Sequence, residues 1–154
     1  MRAYRSKALV TWIALLLGAL GIHRVVLYGW RDKLAWLHPW PSLIGLYGVL
    51  RMRALGQDDR LSWILIPLLG LMLSQAALCA IVYGLTPDAK WDAAHNPGQP
   101  GRETRWAPVL GVIASLVVLG MVLLGTIAFA TEKFFVWQAE PAPAATQDKS
   151  RASP

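Results

Sequence analysis

LSWILIPLLGLMLSQAALCAIVYGL, from Leu61 to Leu85, decides the fold class of this chain. The stretch has no charged side chain over 25 residues. As an α-helix rising 1.5 Å per residue it reaches about 37 Å, enough to cross a hydrocarbon core of about 30 Å. A second charge-free run extends from Trp106 to Thr131 and is closed by Glu132 and Lys133. Pro108 suits its first turn, where a missing backbone donor leaves no bond unmade. Composition agrees with both segments: 16% of the 154 residues are charged and 55% hydrophobic, against about a quarter charged in a typical soluble domain. These features predict an all-α membrane protein.

The first half of the chain is less regular. Ala8 to Ile22 is apolar for only 15 residues, roughly 22 Å as a helix, and crosses only if His23 or Arg24 snorkels or the bilayer thins. Arg2, Arg5 and Lys7 before this short core also imitate a signal peptide, with Ala19 and Gly21 as a weak cleavage site. Leu34 to Leu50 again lacks charge, but His38, Pro39, Trp40 and Pro41 interrupt it, and proline breaks the helical ladder. An interfacial turn carrying Trp36 and Trp40 is expected there, followed by a helix from Pro41 to about Arg53. A re-entrant segment is the alternative.

The expected organisation is about four transmembrane helices in two hairpins, the first with a short, proline-interrupted second helix. Residues 1–52 form the first hairpin and 53–60 a charged connecting loop. Residues 61–138 form the second hairpin, with a polar loop at 86–105, and 139–154 a disordered tail rich in Pro and Ala. With the N-terminus inside, nine basic residues fall inside and six outside, which favours both termini in the cytoplasm. In that arrangement Tyr28, Trp30, Trp36, Trp40, Tyr83 and Trp106 form one aromatic belt and Trp12, Trp63 and Trp137 the other.

Ser6 and Lys7 precede a glycine-punctuated segment ending in Gly18, Ala19, Leu20, Gly21, Ile22, His23 and Arg24. Over about residues 5–50 this resembles the TM2 domain family of small multi-span membrane proteins. Val25 and Val26 stand where that family usually carries Phe and Tyr, and Leu27, Tyr28 and Gly29 include one extra residue before the glycine. The resemblance implies two helices joined by a short loop and no common reaction. It also implies a cytosolic basic motif, which conflicts with the orientation favoured by charge.

Small residues predict close helix packing: Ala14, Gly18 and Gly21 in the first span, Ala76, Ala80 and Gly84 in the third, Gly111 and Ser115 in the fourth. Trp30, Trp36, His38, Trp40, Trp63 and Trp106 are expected interfacial anchors. An arginine at mid-bilayer costs on the order of 2.5–3.5 kcal/mol, so Arg24 belongs at the interface. There it anchors to lipid phosphate or, with His23, recognises an anionic headgroup or a partner's acidic residue.

Other polar residues point less far. Asp58 and Asp59 beside Arg60 read as a solvated salt-bridged turn. His95, Asp88 and Asp92 share a loop without metal-ligand spacing. Gln75, with Ser74, is expected to hydrogen-bond to another helix. Cys79 is alone and lies in an apolar run, where packing explains it. There is no phosphate-binding glycine loop, zinc motif or nucleophile elbow, so neither a cofactor nor a metal is predicted.

The formal charge of +6 is spread over loops and termini, which suits membrane phosphates rather than nucleic acid. The expected function is a non-enzymatic assembly or accessory module of a bacterial cytoplasmic membrane. Its partners would be membrane lipids, another membrane protein or further copies of itself. A small channel or transporter is the alternative, disfavoured because the spans hold no ionisable residue at depth apart from the His23–Arg24 pair.

Overall fold

The computed structural model describes residues 4–139 and is all-helical over them. Seven α-helices follow in order: α1 Lys7–Leu17, α2 Ile22–Tyr28, α3 Lys33–Leu37, α4 Pro39–Leu55, α5 Arg60–Leu85, α6 Asp88–His95 and α7 Ala107–Ala139. The expected disordered tail lies outside the described residues, apart from Ala139 at the end of α7. Among the described residues two single helices, α5 and α7, are each long and apolar enough to cross a membrane by themselves; at 1.5 Å per residue they reach about 39 and 50 Å.

α5 is the organising helix. α4 runs antiparallel to it because Gly45 and Gly48 leave no side chain between the two backbones. A Cβ on Gly45 would stand 2.5 Å from the Leu69 backbone nitrogen, and one on Gly48 2.5 Å from the Leu65 Cβ. α7 packs on the opposite flank, also antiparallel, with Gly84 against Val112 and Pro108, and Gly70 against Thr126. The α4–α5 turn is fixed by Asp59. Its carboxylate caps α5 by accepting from the Ser62 amide at 3.3 Å, and it accepts two bonds from Arg51 at 2.7 and 3.1 Å. Such a cap stabilises a helix by about 1 kcal/mol.

The N-terminal segment differs from the expected crossing. α1 starts beside the end of α5, where the Lys7 ammonium donates to the Thr86 carbonyl at 3.0 Å and pairs with Asp88. It descends with Thr11 against Gly84 and Gly111, and its helix ends at Leu17; Gly18 then packs on Ala76. Residues 18–20 make a tight 3₁₀ turn, Gly21 adopts φ +76°, and α2 climbs back the way α1 came. Gly18 therefore lies nine residues below Leu85 along α5, a depth of about 14 Å. α1 and α2 form a hairpin entering about half the bundle. A side chain at Gly21 would be strained by its left-handed backbone and would meet the Ala35 carbonyl oxygen at 2.6 Å.

α3 and α4 then run as one broken helix from the end where α2 finishes to the Arg51–Asp59 turn. The break falls at His38, immediately before Pro39; His38 keeps helical dihedrals (φ −59°, ψ −41°) and its amide still donates to the Leu34 carbonyl, so the ladder is interrupted by the donor that Pro39 lacks.

The bundle therefore has a near end, where Tyr4–Lys7 meets residues 86–105, and a far end at the Arg51–Arg60 turn. α7 finishes at the far end, with Lys133 5.3 Å from the Trp63 ring centroid. This corrects the expectation that the N-terminus and the 86–105 segment lie on opposite sides. It also moves Trp12 out of the belt shared with Trp63, because its indole donates to the Ala107 carbonyl at 3.1 Å, at the near end. Both differences have one cause, the chain reversal at Gly21.

Candidate functional site

His23 and Arg24 are adjacent in sequence and diverge in space. His23 opens α2 and points into the bundle with 1% exposure. Its ring meets His38 edge to face at 5.8 Å and Tyr83 at 5.9 Å. Its Nδ1 lies where a Cβ on Gly18 would approach to 3.4 Å and has no protein hydrogen-bond partner. Arg24 faces the near-end surface. Its Nε donates to Asp32 Oδ2 at 2.8 Å, and its guanidinium lies 5.1 Å from the centroid of the Tyr28 ring. Asp32 also caps α3 through the Leu34 amide at 3.1 Å. The hydrogen bond from Arg24, and less so that from Leu34, holds the Asp32 carboxyl below the usual carboxylate range despite opposing desolvation. A guanidinium has five donors and this pair uses one, so the arrangement can bind an anion at the near end. His23 takes no part in that surface.

Above the hairpin, the N-terminal segment is clamped against α6. Val10, Leu27 and the buried Trp91 make a small apolar core, joined by Val26 and Tyr83. Around it the polar groups are paired. The Trp91 indole donates to the Arg5 carbonyl at 2.8 Å, and the Arg5 amide donates to the Asn96 side-chain oxygen at 2.8 Å. Tyr4 and Asn96 both donate to Asp92 Oδ1 at 2.8 Å. These two bonds, Asn96 foremost, lower the Asp92 pKa. Burial pushes the Asp88 carboxyl up, but hydrogen bonds from Lys7, the Thr104 amide and the Thr104 hydroxyl outweigh it and bring the pKa down to about 2. A groove of about 630 Å³ opens between this segment and α2, lined by Tyr4, Arg5, Leu9, Val26 and Tyr28 among others. Residues 86–105 are thus more than the polar connection read from sequence.

The predicted packing residues fall at helix contacts. Ala14, Ala76, Ala80 and Ser115 are buried, Gly18 meets Ala76, Gly84 meets Val112, Gly111 meets Thr11 and Trp12, and Gly21 forms the reversal. The predicted anchors divide. Trp30 and Trp36 pair at the near end at 5.9 Å, with the Trp36 indole donating to the Trp30 carbonyl, and Trp106 is 75% exposed at the same end. Trp63 stands at the far end, its indole donating to the Gln57 carbonyl at 2.7 Å. Trp40 is exposed on the first turn of α4, whereas His38 sits inward against His23 and the hairpin tip. Gln75 donates to Cys79 Sγ at 3.3 Å within α5 itself, and neither its Oε1 nor the Ser74 hydroxyl has a partner on another helix.

Among the described residues no three His, Cys, Asp or Glu side chains converge as metal ligands would. No family model, curated protein or solved structure matches this chain. Sequence reasoning missed Gly45 and Gly48, which look like ordinary membrane-helix glycines. It also missed the Lys7–Asp88 and Arg24–Asp32 pairs. Asp32 followed by Lys33 at a helix start was the available signal for the second.

Proposed function

We propose that this chain is a non-enzymatic integral membrane module, embedded in a bacterial cytoplasmic membrane and working as an assembly or accessory protein through helix and lipid contacts. The observation carrying this reading is the exposure of α7: in its most apolar 18-residue window only 11% of the helix is buried. Leu110, Ile113, Leu116, Val117, Met121 and Leu124 all face outward. An apolar surface of this length is far larger than the patches soluble monomers expose, and lipid or a partner helix satisfies it.

Three crossings, by α3–α4, α5 and α7, together with the α1–α2 hairpin entering from one side, account for the chain. The near end carries Arg5, Lys7, Arg24, Arg31, Lys33, Lys90, Arg102 and Arg105, whereas the far end carries Arg51, Arg53, Arg60 and Lys133. The excess of basic residues favours a cytoplasmic near end. This keeps the N-terminus inside and moves the end of α7 outside. It also puts the His23–Arg24 stretch on the cytoplasmic side, as the TM2 likeness implies, although Gly18–Arg24 here turns the chain within the bundle.

The test is gentle solubilisation from native membranes through an affinity tag, followed by native mass spectrometry. A stoichiometric protein partner or retained lipid is the expected result. A lone homo-oligomer that carries ion flux in liposomes would contradict the accessory reading and favour the channel.

A further inference from the structure

α2 is lightly held. Of its seven residues only His23 and Leu27 are buried. Both of its ends are glycines in the left-handed region, Gly21 at φ +76° and Gly29 at φ +86°, and a Cβ on Gly29 would meet nothing within 4 Å. Glycine passes between the two halves of φ at little cost, so the helix has a hinge at each end. One of its two anchors, Leu27, packs with Val10 and Trp91. The other is a titratable ring.

The surroundings of that ring suit its neutral form alone. It is 1% exposed and its Nδ1 has no hydrogen-bond partner. His38 faces it from the α3–α4 break at 5.8 Å and Tyr83 from α5 at 5.9 Å. One turn below Tyr83, the Cys79 thiol is taken by Gln75. Arg24 follows His23 on α2, and Asp32, the carboxylate that acts on the ring, is already paired with Arg24. α1 offers only Lys7, which is turned to Asp88. The 3₁₀ turn at Gly18–Leu20 carries no ionisable side chain. An imidazolium here would be buried without an acceptor, beside a guanidinium and a second imidazole, and such a charge is relieved by moving to water. Tyr83 stands two residues before the end of α5, so near-end water is within reach.

We infer that α2 is an acid-released flap: proton uptake at His23 undocks the helix, which swings on Gly21 and Gly29, draws Arg24 away from Asp32 and uncovers Val10, Trp91 and Tyr83. The device goes beyond the accessory reading and does not depend on which face is cytoplasmic. A ring that is neutral when docked and free to protonate when released stabilises the docked state fully above the ordinary histidine value of about 6.5. That stability is lost as pH falls, and the ratio of released to docked α2 rises about tenfold per pH unit. Asp32, held below the usual carboxylate range, stays ionised meanwhile.

Hydrogen exchange of the full chain in phosphatidylcholine nanodiscs tests this between pH 7 and 5, above the range in which protonation of Asp88 loosens the N-terminal clamp. After correction for intrinsic rates, opening of the amides of residues 22–28 should rise about tenfold per pH unit below about 6.5, while those of residues 76–83 on α5 stay protected. On the unmodified protein, the His23 ring resonances should titrate together with that opening. H23F and H23Q should abolish the pH dependence, and H38Q should keep it. Overturning results are a His23 ring that titrates while α2 stays protected, opening that does not change over this range, a step that survives in H23F and H23Q, or a step that disappears in H38Q alone. Opening of α2 and α5 together would also overturn the flap, since acid would then be loosening the whole bundle.

Discussion

At the scale of single residues, the near end depends on charges brought together from distant parts of the chain. Lys7 and Asp88 meet because α1 begins where α5 ends, and no local pattern announces such a pair. The pKa of Asp88, about 2 against an ordinary 3.8, has a direct consequence. A carboxyl depressed in the folded state contributes its full stabilisation above its ordinary value and loses it as pH falls through the lowered one. The clamp is therefore expected to hold from neutral pH to about 4 and to release between about pH 4 and 2. Hydrogen-exchange protection of the amides of residues 7–11, corrected for intrinsic rates, should fall across that window. In Asp88→Asn the same amides should already be less protected at pH 7 and should show no step. A place for Arg24 at the bundle surface was legible from its cost in lipid alone, whereas its pairing with Asp32 was not. The inward turn of His23 was not, because which of two neighbours faces the bundle depends on the reversal at Gly21.

At the scale of elements, the two long helices were legible to within a turn at their starts. The absence of charge over a membrane's thickness needs no tertiary information. The apolar run of the second closes at Glu132 and Lys133, and the helix carries on past them to Ala139, next to the hairpin boundary read at residue 138. α6 escaped notice because eight residues with three charges carry no periodic signal, and Trp91 reads from sequence as one more interfacial aromatic. Helix contacts separate glycines that sequence treats alike. Gly45 touches the Leu69 backbone, whereas a Cβ on Gly120 meets nothing within 4 Å. Gly45→Val should destabilise the α4–α5 pair by about 1–3 kcal/mol or more, and Gly120→Val should stay within about 0.5 kcal/mol of wild type. Reversible unfolding in mixed micelles measures both. Equal effects would mean that α4 does not lie on α5 through this face.

At the scale of the whole molecule, two of the four expected crossings, α5 and α7, are helices long and apolar enough to span, whereas the path of the chain through the first half was not readable. Gly18 and Gly21 suit a continuous helix packed against a neighbour as well as they suit a turn, and only the contacts with Ala76 and Ala35 decide between them. Once the chain turns back there, the N-terminus joins residues 86–105 at one end of the bundle, and the basic residues divide differently from the count made on four crossings. The proposed arrangement has a half-depth hairpin, three crossings, and the two ends of the described chain on opposite faces of the membrane. Single cysteines at Arg31, Asp58, Ala94 and Gln138, introduced in a Cys79→Ser background, test it most directly through labelling of intact cells with a membrane-impermeant maleimide. Asp58→Cys and Gln138→Cys should label from outside, while Arg31→Cys and Ala94→Cys should label only after lysis. Labelling that puts Arg31→Cys and Ala94→Cys on the same side as each other and opposite to the remaining pair, but inverted, would reverse the orientation and leave the path intact. Finding Arg31→Cys and Ala94→Cys on different sides, or Ala94→Cys and Gln138→Cys on the same side, would contradict it.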